Sequence, residues 1–421
     1  MIMKLLKLLA AGSPAFLLLG LEACSDNSKA PDPQNRAPEA FELISVPDEA
    51  EGVDVFPEFS WNAATDPDGD MVTYTIYLEA GQGIDPTTEI AADITATSFT
   101  PEEPFLVYRD YSWKVVAKDG KGGETSSQIF EFEIRQLNDA VQTTANAAFT
   151  PRTAGAAVAF KGKLWVIGGN APGAPILNDV WNTTDGDAWT QISPDAAFSP
   201  RYYHTALVYD DKLWVIGGYD GHHPEDNAWF SADGSTWTEA VNANFGPRYG
   251  HSSVVFDGKM WIIGGHDGNS PLSDVWSTSD GITWSHTTLN NAFSPRYGHS
   301  SVVYDGKIWV IGGFDGSQYS EELWYSSDGI AWTKADKTLS SSFAFHTSSV
   351  FSGALYSIAG RDGTYKNKYI DFYSTHNNQW MHFGVTFPSR YYHCSAVFDN
   401  KLWIIGGYDG ADYLNDVWYM D

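Results

Sequence analysis

From about residue 155 onward, short apolar runs come in pairs separated by two turn-forming residues, and the pair itself recurs. His251-Ser-Ser-Val-Val-Phe256 leads through Asp257-Gly258 into Lys259-Met-Trp-Ile-Ile263. Runs of this length bounded by Asp-Gly predict strands joined by tight hairpins. A run such as Met260 to Ile263, apolar on successive residues, predicts a strand covered on both faces. A third strand is expected at Asp274-Val-Trp276-Ser-Thr, and a fourth from Thr283-Trp284-Ser-His286 after the Asp280-Gly281 turn. The order restarts at Gly155, His204, His251, His299, His346 and His393, at intervals of 49, 47, 48, 47 and 47 residues. A glycine pair closes each second strand (Gly168-Gly169, Gly217-Gly218, Gly264-Gly265, Gly312-Gly313, Gly406-Gly407), with Ala359-Gly360 in the fifth. Such a pair suits a strand end that another backbone approaches closely. Trp181, Trp229, Trp276, Trp324 and Trp418 recur in the third strands, with Phe372 in the fifth, and their repetition marks them as core.

Two flanking stretches complete the pattern. Phe59-Ser-Trp61, Val72 to Leu78 and Tyr111 to Ala117 lie ahead of the repeats, and the two longer runs alternate apolar and polar, the mark of half-buried antiparallel strands. The sixth repeat stops at Asp421, short of a fourth strand. Ala140 to Asn146 runs into Phe149-Thr-Pro-Arg152 as Trp237 to Asn244 runs into Phe245-Gly-Pro-Arg248. Residues 137–148 are therefore expected to supply the missing strand, tying the ring shut and hiding an open edge.

A period near 50 with four strands per unit resembles the kelch repeat. The resemblance implies an all-β fold, with a six-bladed kelch β-propeller over residues 137–421. Residues 37–136 resemble an immunoglobulin-like sandwich of the fibronectin type III kind, which implies that Trp61 points inward and that Tyr111 is the tyrosine-corner residue. The Ser-x-Asp-Gly-x-x-Trp turns, Ser231 to Trp237 for example, resemble the Asp-box hairpin of sialidases but are one residue short. That box is itself structural and carries no case for glycoside hydrolysis.

The N-terminus adds an address. Lys4 and Lys7 precede an apolar stretch that ends in Leu21-Glu22-Ala23-Cys24, the layout of a signal peptide over residues 1–23. The ending resembles a bacterial lipobox, with Glu22 an unusual residue in it. This implies lipidation of Cys24, a tether over residues 24–36, and a lipid-anchored protein of the bacterial cell envelope, at the outer membrane, facing either the periplasm or the outside.

Composition narrows the partners. A net charge of −28 argues against nucleic acid, whose phosphates require Lys and Arg. The two cysteines imply no disulfide framework. Cys394 stands where other repeats have Thr205, Ser252, Ser300 and Thr347, so it reads as a packed core thiol. It does not supply the cross-linked copper site of galactose oxidase, a kelch-type enzyme.

Strand direction puts the Arg-Tyr-x-His segments and the Gly-Gly-x-Asp-Gly loops on one face, around the axis. Arg152, Arg201, Arg248, Arg296 and Arg390 are expected to ring it, with Phe343 breaking the series. Asp220, Asp267, Asp315, Asp362 and Asp409 form a second ring, read mainly as turn residues with Asp pairing a neighbouring Arg. The position after the glycines varies: Tyr219, His266, Phe314, Arg361 and Tyr408. These five, with Arg201, Arg248, Arg296 and Arg390, are the candidate ligand-binding residues, because varied exposed positions on a shared frame carry selectivity. His222-His223 adds local character without further metal ligands nearby. Asp66-Pro-Asp68-Gly-Asp70 has the alternate carboxylates of a calcium loop but reads first as an acidic turn. The functional expectation is a binding protein for a carbohydrate or protein ligand, with no catalytic residue. The alternative is a carbohydrate-active enzyme resembling N-acetylneuraminate epimerase, for which an arginine face would suit a sugar carboxylate.

Overall fold

The computed structural model describes residues 35–421 apart from 103, 104, 106–108, 136, 138, 174, 242, 288–292, 340, 364–368, 375–378 and 385. The expected signal, the lipidated Cys24 and most of the tether lie outside the described residues. Among those described, every regular element is a β-strand.

The N-terminal unit has two sheets. One pairs Phe59–Trp61 with Leu43–Ser45 on one side and Ser98–Phe99 on the other. The second runs in the order Ala50–Val53, Phe130–Ile134, Asp110–Lys118, Thr73–Ala80, Thr88–Ile94. Alternation in the two long strands sends Ile76, Trp113 and Val115 inward, where they meet Phe59 and Trp61 from the first sheet. Trp61 stacks edge-on against Tyr74 at 5.4 Å, and the Tyr74 hydroxyl accepts the Ala64 amide.

Asp66, Asp68 and Asp70 do share a loop, but each carboxylate already has an in-chain role. Asp66 accepts the amides of Asp68 and Asp70, Asp68 pairs with Arg36, and Asp70 pairs with Lys121 at 2.6 Å. The loop is an acidic turn with two cations at its carboxylates, while Asp66 Oδ2 and Asp70 Oδ2 are buried without a hydrogen-bond partner.

The repeats form six four-stranded antiparallel sheets. In the third repeat the strands are Ser252–Phe256, Lys259–His266, Pro271–Thr278 and Ser285–His286. Asp257 and Gly258 have φ of 48° and 67°, the conformation a two-residue hairpin between twisted strands requires. First strands of successive repeats neighbour one another, and those of the sixth and first also meet, so the sheets close a ring. Val141–Thr144 pairs with Tyr413–Met420, so the last sheet takes its outer strand from ahead of the first.

Register corrects one residue. Trp276 lies opposite Ile262 and Trp418 opposite Ile404; at the same place in the fifth repeat, Asp371 lies opposite Ser357. The buried residue standing in for tryptophan is Asp371, and Phe372 is one position further on.

The Ser-x-Asp-Gly-x-x-Trp turns are rivets between neighbouring sheets. Asp233 accepts the amides of Ser235 and Thr236, which with its other hydrogen bonds holds its carboxyl down at about 2. Gly281 packs against the Trp214 ring of the preceding repeat. A Cβ there would lie 2.0 Å from the ring, at a φ of +77°. Gly258 has a similar φ with nothing within 4 Å. Gly258→Ala is expected to cost about 1 kcal/mol through backbone strain alone. Gly281→Ala adds a clash with a buried indole and is expected to cost roughly 3 kcal/mol or more, read as the difference in urea midpoints. Equal losses would mean that the indole moves aside freely.

Candidate functional site

The face at the start of the first strands is built in three layers. The deepest is the arginine set. Arg248 reaches across its own sheet to Asp274 with two bonds of 2.9 Å and holds the Gly264 carbonyl at 3.0 Å. Arg390 does the same with Asp416 and Gly406, and Arg152 with Asp179 and Gly168. Arg296 pairs with Glu322 at 2.8 Å; Arg201 has Asn227 at 2.9 Å and Glu225 at 3.7 Å. All five are at most 2 % exposed. The carboxylates also accept an indole N–H two residues on: Trp181, Trp276, Trp324 and Trp418. These arginines clamp the glycine pair to the third strand beneath the surface. Arg201, Arg248, Arg296 and Arg390 are therefore corrected from ligand contacts to framework, and of the candidate arginines only Arg361 is left for a sugar carboxylate.

The loop aspartates also act within their own turns. Asp220, Asp267, Asp315 and Asp409 each accept two amides of their own loop, two and three residues on. His222 and His223 lie exposed at the tip of one such loop, and among the described residues no cluster of three or more His, Cys, Asp or Glu is placed to hold a metal.

The middle layer surrounds the axis. His204, His251, His299, His346 and His393 are buried, and four of them bond a hydroxyl of the preceding repeat through Nε2: Thr205, Ser252, Ser300 and Thr347. In the first repeat Ala156 occupies the hydroxyl position, and His204 has no such bond. Above them the backbone closes a belt. Ala154 N–H donates to Tyr392 C=O, Tyr203 to Ala154, Gly250 to Tyr203, Gly298 to Gly250, Phe345 to Gly298 and Tyr392 to Phe345, at 2.7–3.0 Å. Each of these six has a φ between 52° and 63°, which explains Gly250 and Gly298 at this place. The belt caps a narrow axial cavity of about 110 Å³.

The outermost layer is aromatic. The varied positions lie half-buried, each in an antiparallel bridge with the residue after the arginine site: Tyr219 with Tyr202, His266 with Tyr249, Phe314 with Tyr297, Arg361 with Ala344, Tyr408 with Tyr391. An unbroken chain of ring contacts at 4.7–5.7 Å runs Tyr413, Tyr408, Tyr391, Tyr392, Tyr203, Tyr202, Tyr219, Tyr249, His266, Tyr297, Phe314, Tyr319. Burial and neighbouring phenols raise Tyr249 to about 12, so its hydroxyl stays protonated at neutral pH. Arg361 stands 5.1 Å over the Tyr391 ring as the cation of this layer among the candidate residues. Tyr202, Tyr203, Tyr249, Tyr297, Tyr391 and Tyr392 were not among the candidate ligand-binding residues, although the Arg-Tyr-x-His segments were expected on this face.

Cys394 is buried between Trp403 and its neighbours, and burial pushes its thiol up to about 12. An un-ionised thiol of this kind is packing, not a nucleophile.

Comparison with known families now fits the geometry. The KLHDC2/KLHL20/DRC7 kelch-repeats domain matches residues 239–360, the DUF6242 β-propeller domain matches residues 159–277, and the kelch motif matches residues 389–421. No curated protein matches the sequence. Kelch motifs and a β-propeller domain are thus recognised within residues 159–360 and 389–421.

Proposed function

We propose that the chain is a binding protein of the bacterial cell envelope that captures a carbohydrate or protein ligand on the aromatic face of a six-bladed propeller. The observation that carries this is the continuous layer of rings spanning several repeats and half exposed to solvent. Tyrosines combine apolar area with a polar tip and few rotatable bonds, which makes them strong anchors at low entropic cost. The arginines and histidines below are spent on the frame, so recognition falls to the aromatic layer and to Arg361.

The N-terminal unit favours outward display. Its core merges with Phe351, Ala354 and Tyr356, at or beside the far ends of their strands, and Arg135 donates to the Asp421 carbonyl. The fibronectin-like sandwich would thus hold the propeller by the side away from the aromatic face. Lipidation at Cys24 would place both on a tether at the membrane.

Replacing Tyr219, His266 and Arg361 together by Ala is expected to abolish capture on a combined glycan and protein array, with the thermal unfolding transition retained. Undiminished capture by the triple variant would remove the ligand from this face.

A further inference from the structure

The aromatic layer gives way to Ala344 and Arg361 in the fifth repeat and to small side chains over the first. There Thr153 and Asn170 occupy the bridge that is Tyr202 with Tyr219 in the second repeat and Tyr391 with Tyr408 in the sixth. The backbone frame is unchanged: Thr153 and Asn170 exchange both amide bonds at 2.9 and 2.8 Å, as Tyr202 and Tyr219 do at 3.1 and 2.8 Å. The small side chains leave a notch of about 300 Å³, walled by Tyr202 and Tyr203 on one flank and by Tyr391, Tyr392, Tyr408 and Tyr413 on the other.

We infer that this notch is the seat of a neutral pyranose unit. The inference rests on the aromatic face being the ligand face. Three properties of the notch carry it. Its volume lies at the lower end of small-molecule sites, room for roughly one or two sugar rings and too little for a folded partner. Its walls are phenol rings from two directions, which match the apolar C–H faces of a pyranose, and their hydroxyls, with the Asn170 amide, provide donors and acceptors for sugar hydroxyls. No lining residue is itself an acid or a base of ordinary strength, and the neighbouring Arg361 is engaged over the Tyr391 ring at 5.1 Å. Burial raises the Tyr202, Tyr203, Tyr391 and Tyr392 phenols further above neutrality.

The notch can be filled without disturbing the fold, because the filler is already used by the neighbouring repeats. Asn170→Tyr places in the first repeat the residue found at 219 and 408. The full chain is to be titrated by calorimetry with glucose, galactose, mannose and their disaccharides, beside N-acetylneuraminic acid and choline as charged probes. At least one neutral saccharide is expected to bind, and Asn170→Tyr is expected to weaken it tenfold or more with the unfolding midpoint retained. Binding of a charged probe alone, or saccharide binding that survives Asn170→Tyr, overturns the inference. Saccharide binding lost in the Tyr219/His266/Arg361 variant but kept in Asn170→Tyr removes the notch and leaves the face. Capture of proteins alone on the array does the same, and no capture of any kind removes both.

Discussion

Lowering the pH from 7.5 to 5.5 is expected to destabilise the propeller by several kcal/mol, with an uptake of close to five protons on unfolding. The cause is the axial histidine set. His204, His299 and His346 are held down at about 3, chiefly by burial, and His251 and His393 are pushed well below their ordinary value for the same reason, with Arg248 and Arg390 beside them adding repulsion. All five are therefore neutral in the folded chain at pH 5.5. In the unfolded chain they titrate near 6.5. Below that pH the unfolded state binds more protons, so stability falls as the pH falls, from about 6.5 down to about 3. Each histidine contributes on the order of 1.4 kcal/mol by pH 5.5, and five together approach the whole stability of an ordinary domain. The carboxylates act in a different window: Glu322 and Asp233, both held at about 2, lose their contribution only below about pH 4. Urea midpoints at half-unit pH steps, followed by tryptophan fluorescence, read this directly, since all tryptophans except Trp61 and Trp113 lie in the repeats. A flat profile between pH 7.5 and 5.5 would contradict it. His204→Leu should reduce the proton count by one, and His204 is the member without a hydroxyl to lose.

What could be read from the chain follows from what backbone geometry demands of a residue. Gly264 and Gly265 are required because a Cβ would meet the Arg296 carbonyl at 3.0 Å and the His251 side chain at 2.8 Å, so the pair survives in nearly every repeat and displays the period. Asp257-Gly258 is required by two positive φ values, and displays the hairpins. Depth was harder to see. Strand direction placed the arginines on the correct face but not beneath it, because their partners lie 26 or 27 residues on, in the third strand. A signal existed: Asp179-Val-Trp181, Asp274-Val-Trp276, Glu322-Leu-Trp324 and Asp416-Val-Trp418 repeat a carboxylate two residues before the tryptophan. The belt was hidden for another reason. Ala154, Tyr203, Phe345 and Tyr392 adopt positive φ without being glycine, held there by the cyclic hydrogen bonds of all six repeats at once. No local propensity announces a conformation that only ring closure stabilises.

Asp416→Ala is expected to cost about 3–5 kcal/mol, although Asp416 touches no ligand and lies on no loop. The Arg390 guanidinium is fully buried, and Asp416 meets it with bonds of 2.7 and 2.8 Å. Removing the carboxylate strands a cation in a low-dielectric setting and leaves the Trp418 N–H without its acceptor. The fifth repeat indicates which part of that cost belongs to the charge. There the arginine position is Phe343 and the carboxylate position, before the Ile370 that lies opposite Ile358, is Tyr369; both charges are absent together and the sheet still forms. The double variant Arg390→Phe with Asp416→Tyr copies this solution. It is expected to unfold at a higher urea concentration than Asp416→Ala, because no unpaired charge is left inside. If the double variant were no more stable than the single one, the dominant role of Arg390 would instead be its 2.8 Å hold on the Gly406 carbonyl, which the copied pair cannot make. Either ordering assigns the arginine ring to the frame beneath the aromatic layer, and the layer is then the part free to choose a ligand.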